Sequence, residues 1–170
     1  MLSKQYAQKL GAARVADANE IADAVEPHDL VFVDPPYSAV QYSRFYHVLE
    51  SIARGLRGDV SGIGRYPDAA YRPKSRYSLK SDAEDALNQL LFLLSAKGAR
   101  VILTFPDHEC SNGLSGDIVR AIARTYFHIR EHSINSRFST LGGRGSGDDK
   151  VARRSARHDA SELMLLLSPR

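Results

Sequence analysis

Residues 34–37 read Asp34-Pro35-Pro36-Tyr37, directly after the apolar run Leu30-Val31-Phe32-Val33. Each part of this tetrapeptide suits holding a planar amine at the end of a strand. Two successive prolines fix φ and force the preceding residue to be extended, so the chain leaves the strand stiffly. The Asp34 carboxylate can accept hydrogen bonds from an amino group, and the Pro35 carbonyl can accept a second. Tyr37 then offers a flat ring for a heterocycle to lie against. The plainer alternative is a turn in which Asp34 caps the next segment and Tyr37 packs into the core. Agreement between strand, tetrapeptide and the helical pattern that follows favours the amine site.

A second group of residues has the chemistry of nucleic-acid contact. Segment 54–80 contains Arg54, Arg57, Arg65, Arg72, Lys74, Arg76 and Lys80 against only Asp59 and Asp68, with Tyr66, Tyr71 and Tyr77 interleaved. Cations suit phosphates and rings suit bases, so Arg65, Arg72, Lys74 and Arg76 are candidate contacts. The bland reading is a solvated loop. The stretch 140–158 is also rich in glycine and arginine, and Arg144 there is a candidate phosphate clamp or part of a hairpin tip. His108, Glu109 and Cys110 invite a metal reading, but three adjacent residues converge poorly on one zinc and no matching pair lies at ligand spacing. No metal site is expected.

The elements that must position these residues alternate short apolar runs with amphipathic helices, the pattern of an α/β sheet. Residues 13–16 suggest a weak strand ending at Asp17-Ala18, followed by a short helix from about Asn19 to Val25 and the strand 30–33. Phe45, Val48, Leu49 and Ile52 then fall on one helical face. Ser81 with Glu84 three residues on predicts a capping box, and Leu87, Leu90, Leu91 and Leu94 supply the buried stripe of the helix it opens, which Gly98 ends. Strand 100–105, a helix around Ile118, Val119 and Ile122, and strands 128–134 and 162–167 complete the chain. The last two strands have no helix between them, so they must pair antiparallel.

With 170 residues and 43% hydrophobic content, the chain suffices for one domain with a sizeable core. Lys and Arg number 23 against 20 Asp and Glu, too small an excess to argue from. The lone Cys110 excludes an internal disulfide framework and fits a reducing cytoplasm. No run approaches the roughly 18–20 apolar residues of a membrane span, and no signal peptide is visible, so a cytoplasmic location without membrane contact is expected.

The Asp34-Pro35-Pro36-Tyr37 turn resembles the catalytic motif of S-adenosylmethionine-dependent amino-group methyltransferases, in the form typical of adenine-specific enzymes. Residues 41–50 (Gln-Tyr-Ser-Arg-Phe-Tyr-His-Val-Leu-Glu) and Ser75-Arg76-Tyr77-Ser78 are similar to a bacterial group of adenine-specific DNA methylases. The element order from about residue 13 resembles the C-terminal half of the class I methyltransferase fold, a Rossmann-like sheet whose parallel strands end in an antiparallel pair. The resemblance implies S-adenosylmethionine as cofactor and adenine-containing duplex DNA as partner, with the target base flipped into a pocket. Asp34 and the Pro35 carbonyl would accept the two protons of the 6-amino group, Pro36 would stiffen the catalytic turn, and Tyr37 would stack on the ring. Asp17-Ala18 falls where related enzymes hold the cofactor adenine, although Asp17 suits a helix N-cap nearly as well. Tyr42 and Arg44 would line the base pocket or touch the DNA backbone, and His47 reads as structural.

Such enzymes also carry a Phe-x-Gly-x-Gly turn against the methionine part of the cofactor. Here Gly11 is the only glycine before Asp34, and Gly142-Gly143-Arg144-Gly145-Ser146-Gly147 reads as a loop. The expectation is a single partial catalytic domain over 1–170 with a basic target-recognition insertion at 54–80. Its first two strands would be missing, as in a truncated product or one half of a split enzyme, leaving one edge of strand 30–33 exposed. An RNA adenine methyltransferase and a non-catalytic nucleic-acid-binding remnant are the alternatives.

Overall fold

A computed structural model describes residues 11–55, 59–62, 66–68, 72, 74–139 and 157–170. In chain order, helix α1 (Ala18–Ile21) runs into a 3-10 turn (Ala22–Ala24), then strand β1 (Leu30–Val33) and helix α2 (Ser43–Arg54). Two short strands, β2 (Val60–Ser61) and β3 (Tyr66–Pro67), form a small antiparallel pair. A 3-10 turn (Arg76–Ser78), helix α3 (Ala83–Ala96), strand β4 (Arg100–Pro106), helix α4 (Gly116–Tyr126) and strands β5 (Phe127–Ser139) and β6 (Arg157–Pro169) follow.

The main sheet is open and four-stranded, in the order β1-β4-β6-β5. β1 lies parallel to β4, with Leu30 opposite Arg100 and Val33 opposite Leu103. β6 inserts antiparallel between β4 and β5, pairing Val101 with Leu167 and Phe127 with Pro169. A mixed α/β architecture of this kind is compatible with a methyltransferase fold. The expected antiparallel closing pair is present and extends several residues beyond 128–134 and 162–167.

The register sorts side chains onto two unlike faces. Val33, Val101, Leu103, Phe105, Leu163, Leu165 and Leu167 are buried on one face. There they meet Leu87, Leu90, Leu91 and Leu94 of α3 and Val119 and Ile122 of α4, all buried. The opposite face carries Phe32, Ile102 and Leu166 side by side on neighbouring strands. Phe32 is 64% exposed, and no described helix lies over this row in the way that α3 and α4 cover the other face. Both faces of a parallel sheet are ordinarily covered.

Two local expectations are corrected. Residues 13–16 form no strand but an exposed stretch without regular structure, because no described strand lies beside them to complete a hydrogen-bonded ladder. The Ser81–Glu84 capping box is absent as well. Asp82 is the N-cap of α3 and makes no side-chain cap bond. The Leu79 carbonyl already accepts from the Asp82 and Ala83 amides at 2.9 Å each, so the preceding turn satisfies donors the box would have served. Gly98, at φ +70°, leaves α3 as expected. No described helix is long and apolar enough to cross a membrane.

Candidate functional site

The Asp-Pro-Pro-Tyr turn leaves β1 at its C-terminal end. Neither proline has an N–H, so residues 35 and 36 contribute only carbonyls and must be held by donors from elsewhere. The loop after β4 supplies them. Asn112 Nδ2 donates to the Pro36 carbonyl at 2.8 Å and to the Tyr77 carbonyl at 2.9 Å. On the same loop, Ser111 Oγ accepts from the Ala39 amide at 3.0 Å. From β4 itself, Thr104 Oγ1 donates to Asp34 Oδ1 at 3.0 Å and orients the carboxylate. Gln41 and Ser75 grip each other reciprocally: Gln41 Nε2 donates to the Ser75 carbonyl at 3.0 Å, and the Ser75 amide donates to Gln41 Oε1 at 2.7 Å.

Beside this turn lies a cavity of about 730 Å³, within the range that ordinarily holds a drug-sized ligand. Asp34, Pro35, Pro36 and Tyr42 line one part of it, and Asp17 and Ala18 line another. Lys74 and Arg76 form a basic rim, while Val25, Val31, Leu90 and Leu94 make an apolar wall. Asp17 and Asp34 thus share one cavity. Asp17 is also the N-cap of α1, its Oδ1 accepting from the Asn19 amide at 2.8 Å, so the capping geometry and the cavity position coexist.

Burial pushes the Tyr42 phenol above its ordinary value, and the charges of Tyr37, Asp34 and Tyr46 add to the effect. It therefore stays a neutral hydroxyl donor beside Asp34. Its ring meets that of Tyr46 edge-on at 5.7 Å.

Other candidates are distributed differently. Tyr37 is half exposed and does not line the cavity, so its ring is free to meet something arriving from solvent. Arg44 and Arg72 also lie outside the lining. Arg76 does line it, and its Nη1 donates to Gln89 Oε1 at 3.2 Å. Arg65 and Arg144 lie outside the described residues. Tyr77, one of the three tyrosines interleaved with the basic side chains of 54–80, is only 7% exposed. Its hydroxyl donates to Asn19 Oδ1 at 2.7 Å, which makes it a core residue beneath the cavity. Sequence reasoning missed Asn112, Gln41, Asn19 and Thr104. Asn112-Gly113 forms a turn, with Gly113 at φ +89°, but nothing in that dipeptide signals a contact with residue 36.

Comparison with known sequences bears on the same stretch. Residues 2–84, just under half of the chain, match the profile of D12 class N6 adenine-specific DNA methyltransferases. Modification methylase StsI of Streptococcus sanguinis is 36% identical over 75 residues, 44% of this chain and 11% of that protein. Modification methylase LlaI of Lactococcus lactis subsp. lactis is 40% identical over 68 residues, 38% of this chain and 11% of that protein. Type II methyltransferase M.NlaIII of Neisseria lactamica is 37% identical over 76 residues, 45% of this chain and 22% of that protein. The chain thus spans 11% to 22% of the length of these relatives. No solved structure gives a significant match. The stretch that builds the Asp34 turn, the Asp17 cap and the Arg76 rim therefore lies within residues 2–84, the part of the chain that is similar to the D12 class N6 adenine-specific DNA methyltransferases.

Proposed function

We propose that this chain carries the amine-binding part of an enzyme that methylates the 6-amino group of adenine in DNA. The observation that carries the reading is the Asp34 turn, braced by Thr104 and Asn112, opening on a cavity that also contains Asp17. The Asp34 carboxylate and the Pro35 carbonyl accept the two amine protons, which aims the nitrogen lone pair away from the protein and enriches it. Tyr37 supports the ring from the solvent side. S-adenosylmethionine, when bound, supplies an electrophilic methyl group. The contribution of these residues is alignment and electrostatic support of the nitrogen. Asp34 need not be a full base, because the surplus proton can leave after the new C–N bond forms.

The cavity fits one end of that cofactor. Asp17 offers an acceptor for an adenine amine, and Val25, Val31, Leu90 and Leu94 offer apolar walls. No glycine lines the cavity, so the methionine end has no close-approach turn among these residues. We infer that a further part of the enzyme, a partner chain or a longer polypeptide, supplies that turn and completes a Rossmann-like methyltransferase sheet. Among the described residues no strand pairs with the second edge of β1 and no helix covers the row Phe32, Ile102, Leu166, which supports this reading. On it, the apolar end of the cavity is partly space that an added strand would fill, and the end near Asp17 and Asp34 remains for ligands. The basic residues of 54–80, with Lys74 and Arg76 at the rim, suit the approach of a duplex.

The test is methyl transfer from radiolabelled S-adenosylmethionine to adenine-containing duplex by the complete enzyme and its Asp34→Ala variant. Transfer is expected to vanish in the variant while DNA affinity stays within a few-fold. Wild-type turnover by Asp34→Ala would end the assignment of Asp34, and preferential transfer to structured RNA would move the substrate class.

A further inference from the structure

We infer that Asn112 is the positioning residue of the amine-binding turn, and that its two amide protons set where Asp34 and Pro35 stand. This rests on the reading of that turn as the amine site. Asn112 is fully buried, 0% exposed, in the loop between β4 and α4. One proton goes to the Pro36 carbonyl and the other to the Tyr77 carbonyl, while Oδ1 accepts from the Leu114 amide at 3.3 Å. One side chain therefore ties three segments together.

Asparagine suits this position for a chemical reason. Pro36 and Tyr77 each present a carbonyl and Leu114 presents an amide, so the group between them must donate twice from one nitrogen and accept once on the adjacent oxygen. A carboxylate of the same shape would press a buried negative charge against two carbonyl oxygens. A leucine of similar size would take this donor from the buried Tyr77 carbonyl and the partly buried Pro36 carbonyl.

The surrounding loop is built to hold Asn112 in place. The Cys110 amide donates to the Leu114 carbonyl at 2.8 Å, and the Gly113 amide donates to the Cys110 carbonyl at 3.0 Å. Gly113 takes the left-handed conformation this requires, and its Cα approaches Lys80 so closely that a Cβ would lie 3.0 Å from Lys80 Cγ. The bonds then close a ring: Pro36 to Asn112, Asn112 to Tyr77, and, through that 3-10 turn, Ser75 to Gln41 and back to the motif. Asn112 reaches no cavity residue except through the backbone it holds, which makes it a positioning group and not a catalytic one.

The test pairs amide exchange with kinetics. Hydrogen–deuterium exchange on the chain, wild type against Asn112→Ala, is expected to show at least tenfold faster exchange in 38–42 and 74–79, with α3 and β5 unchanged. In the complete enzyme, kcat should fall ten- to a hundredfold while KM for DNA stays within threefold. Asn112→Ser, which keeps one donor and disturbs packing least, should lie between the two and serves if the alanine variant does not fold. Unchanged exchange in both segments overturns the inference. So does a kcat loss that merely follows the folded fraction in a thermal melt. Failure of the wild-type enzyme to methylate adenine would instead overturn the functional reading, and the exchange pattern would still decide whether Asn112 anchors the turn.

Discussion

The Tyr77 hydroxyl donates to Asn19 Oδ1 at 2.7 Å across 58 residues of sequence. Asn19 uses its other end to donate to the Ala86 carbonyl at 3.0 Å and to Gln89 Oε1 at 3.2 Å. Gln89 Oε1 in turn receives Arg76. This network fastens α1, with Asp17 at its start, to α3 and to the segment that ends at the basic rim. The two halves of the cavity floor are therefore held together by polar bonds inside an otherwise apolar core. Such bonds are costly to break, because the orphaned partner stays buried.

Tyr77→Phe tests that fastening. It keeps the ring and leaves Asn19 Oδ1 without its donor, so stability should fall by about 1–3 kcal/mol. A melting shift of roughly 2–4 °C per kcal/mol is expected for a chain of this size. The loss should also depend on pH. Burial pushes the Tyr77 phenol well above its ordinary 10.0, Asp17 adds to the rise and Arg76 opposes it. The unfolded chain releases this proton from about pH 10 while the folded one retains it. The contribution of Tyr77 is therefore complete below pH 10 and declines as pH climbs above it towards the raised folded value. Melts of the two proteins should differ most below pH 10 and converge above it; a constant gap would show that Tyr77 ionises normally.

Thr104→Val addresses the orientation of Asp34. The substitution preserves shape and removes the 3.0 Å donor to Asp34 Oδ1. Asp34 is exposed, so water replaces the lost bond in part. The expected effect is a modest misalignment, with kcat in the complete enzyme lowered about three- to tenfold, equivalent to roughly 0.7–1.4 kcal/mol. Thr104→Ser, which keeps the hydroxyl, should restore most of it. Equal rates for the valine variant and wild type would mean that Asp34 is oriented by the turn alone.

Local signals in the sequence found the elements but not the contacts between them. β1, β4 and the leucine stripe of α3 were legible because each is a short periodic run whose partners share its pattern. The Asp34 turn was legible because two prolines leave little conformational choice. Strand 13–16 failed because strand formation depends on a neighbour that local propensity does not report. Tyr77 was misread because a tyrosine among arginines looks the same whether its ring faces solvent or core. Only its position above Asn19 and Ala86 decides. Asn112 signals only a turn with Gly113, since its role depends on a carbonyl 76 residues away.

The open face of the sheet yields the last prediction. Leu30 and Phe32 are 59% and 64% exposed on β1, and Val48, Leu49 and Ile52 of α2 are each more than half exposed. Phe32 stands beside Ile102, which stands beside Leu166, so an apolar row crosses three strands without a described helix over it. A surface of this kind ordinarily marks an interface. The chain alone should bind an environment-sensitive apolar dye and associate with itself as concentration rises. Leu30→Lys with Phe32→Lys should suppress both. Because these side chains bury little within the chain, stability should change by no more than about 1 kcal/mol. Two measurements decide it: dye fluorescence across a concentration series, and a thermal melt of each protein. Lost dye binding with an unchanged melt shows that the face is open and unpacked in this chain. A melting point lowered by many degrees would mean that Leu30 and Phe32 pack within this chain, and that the sheet is already covered.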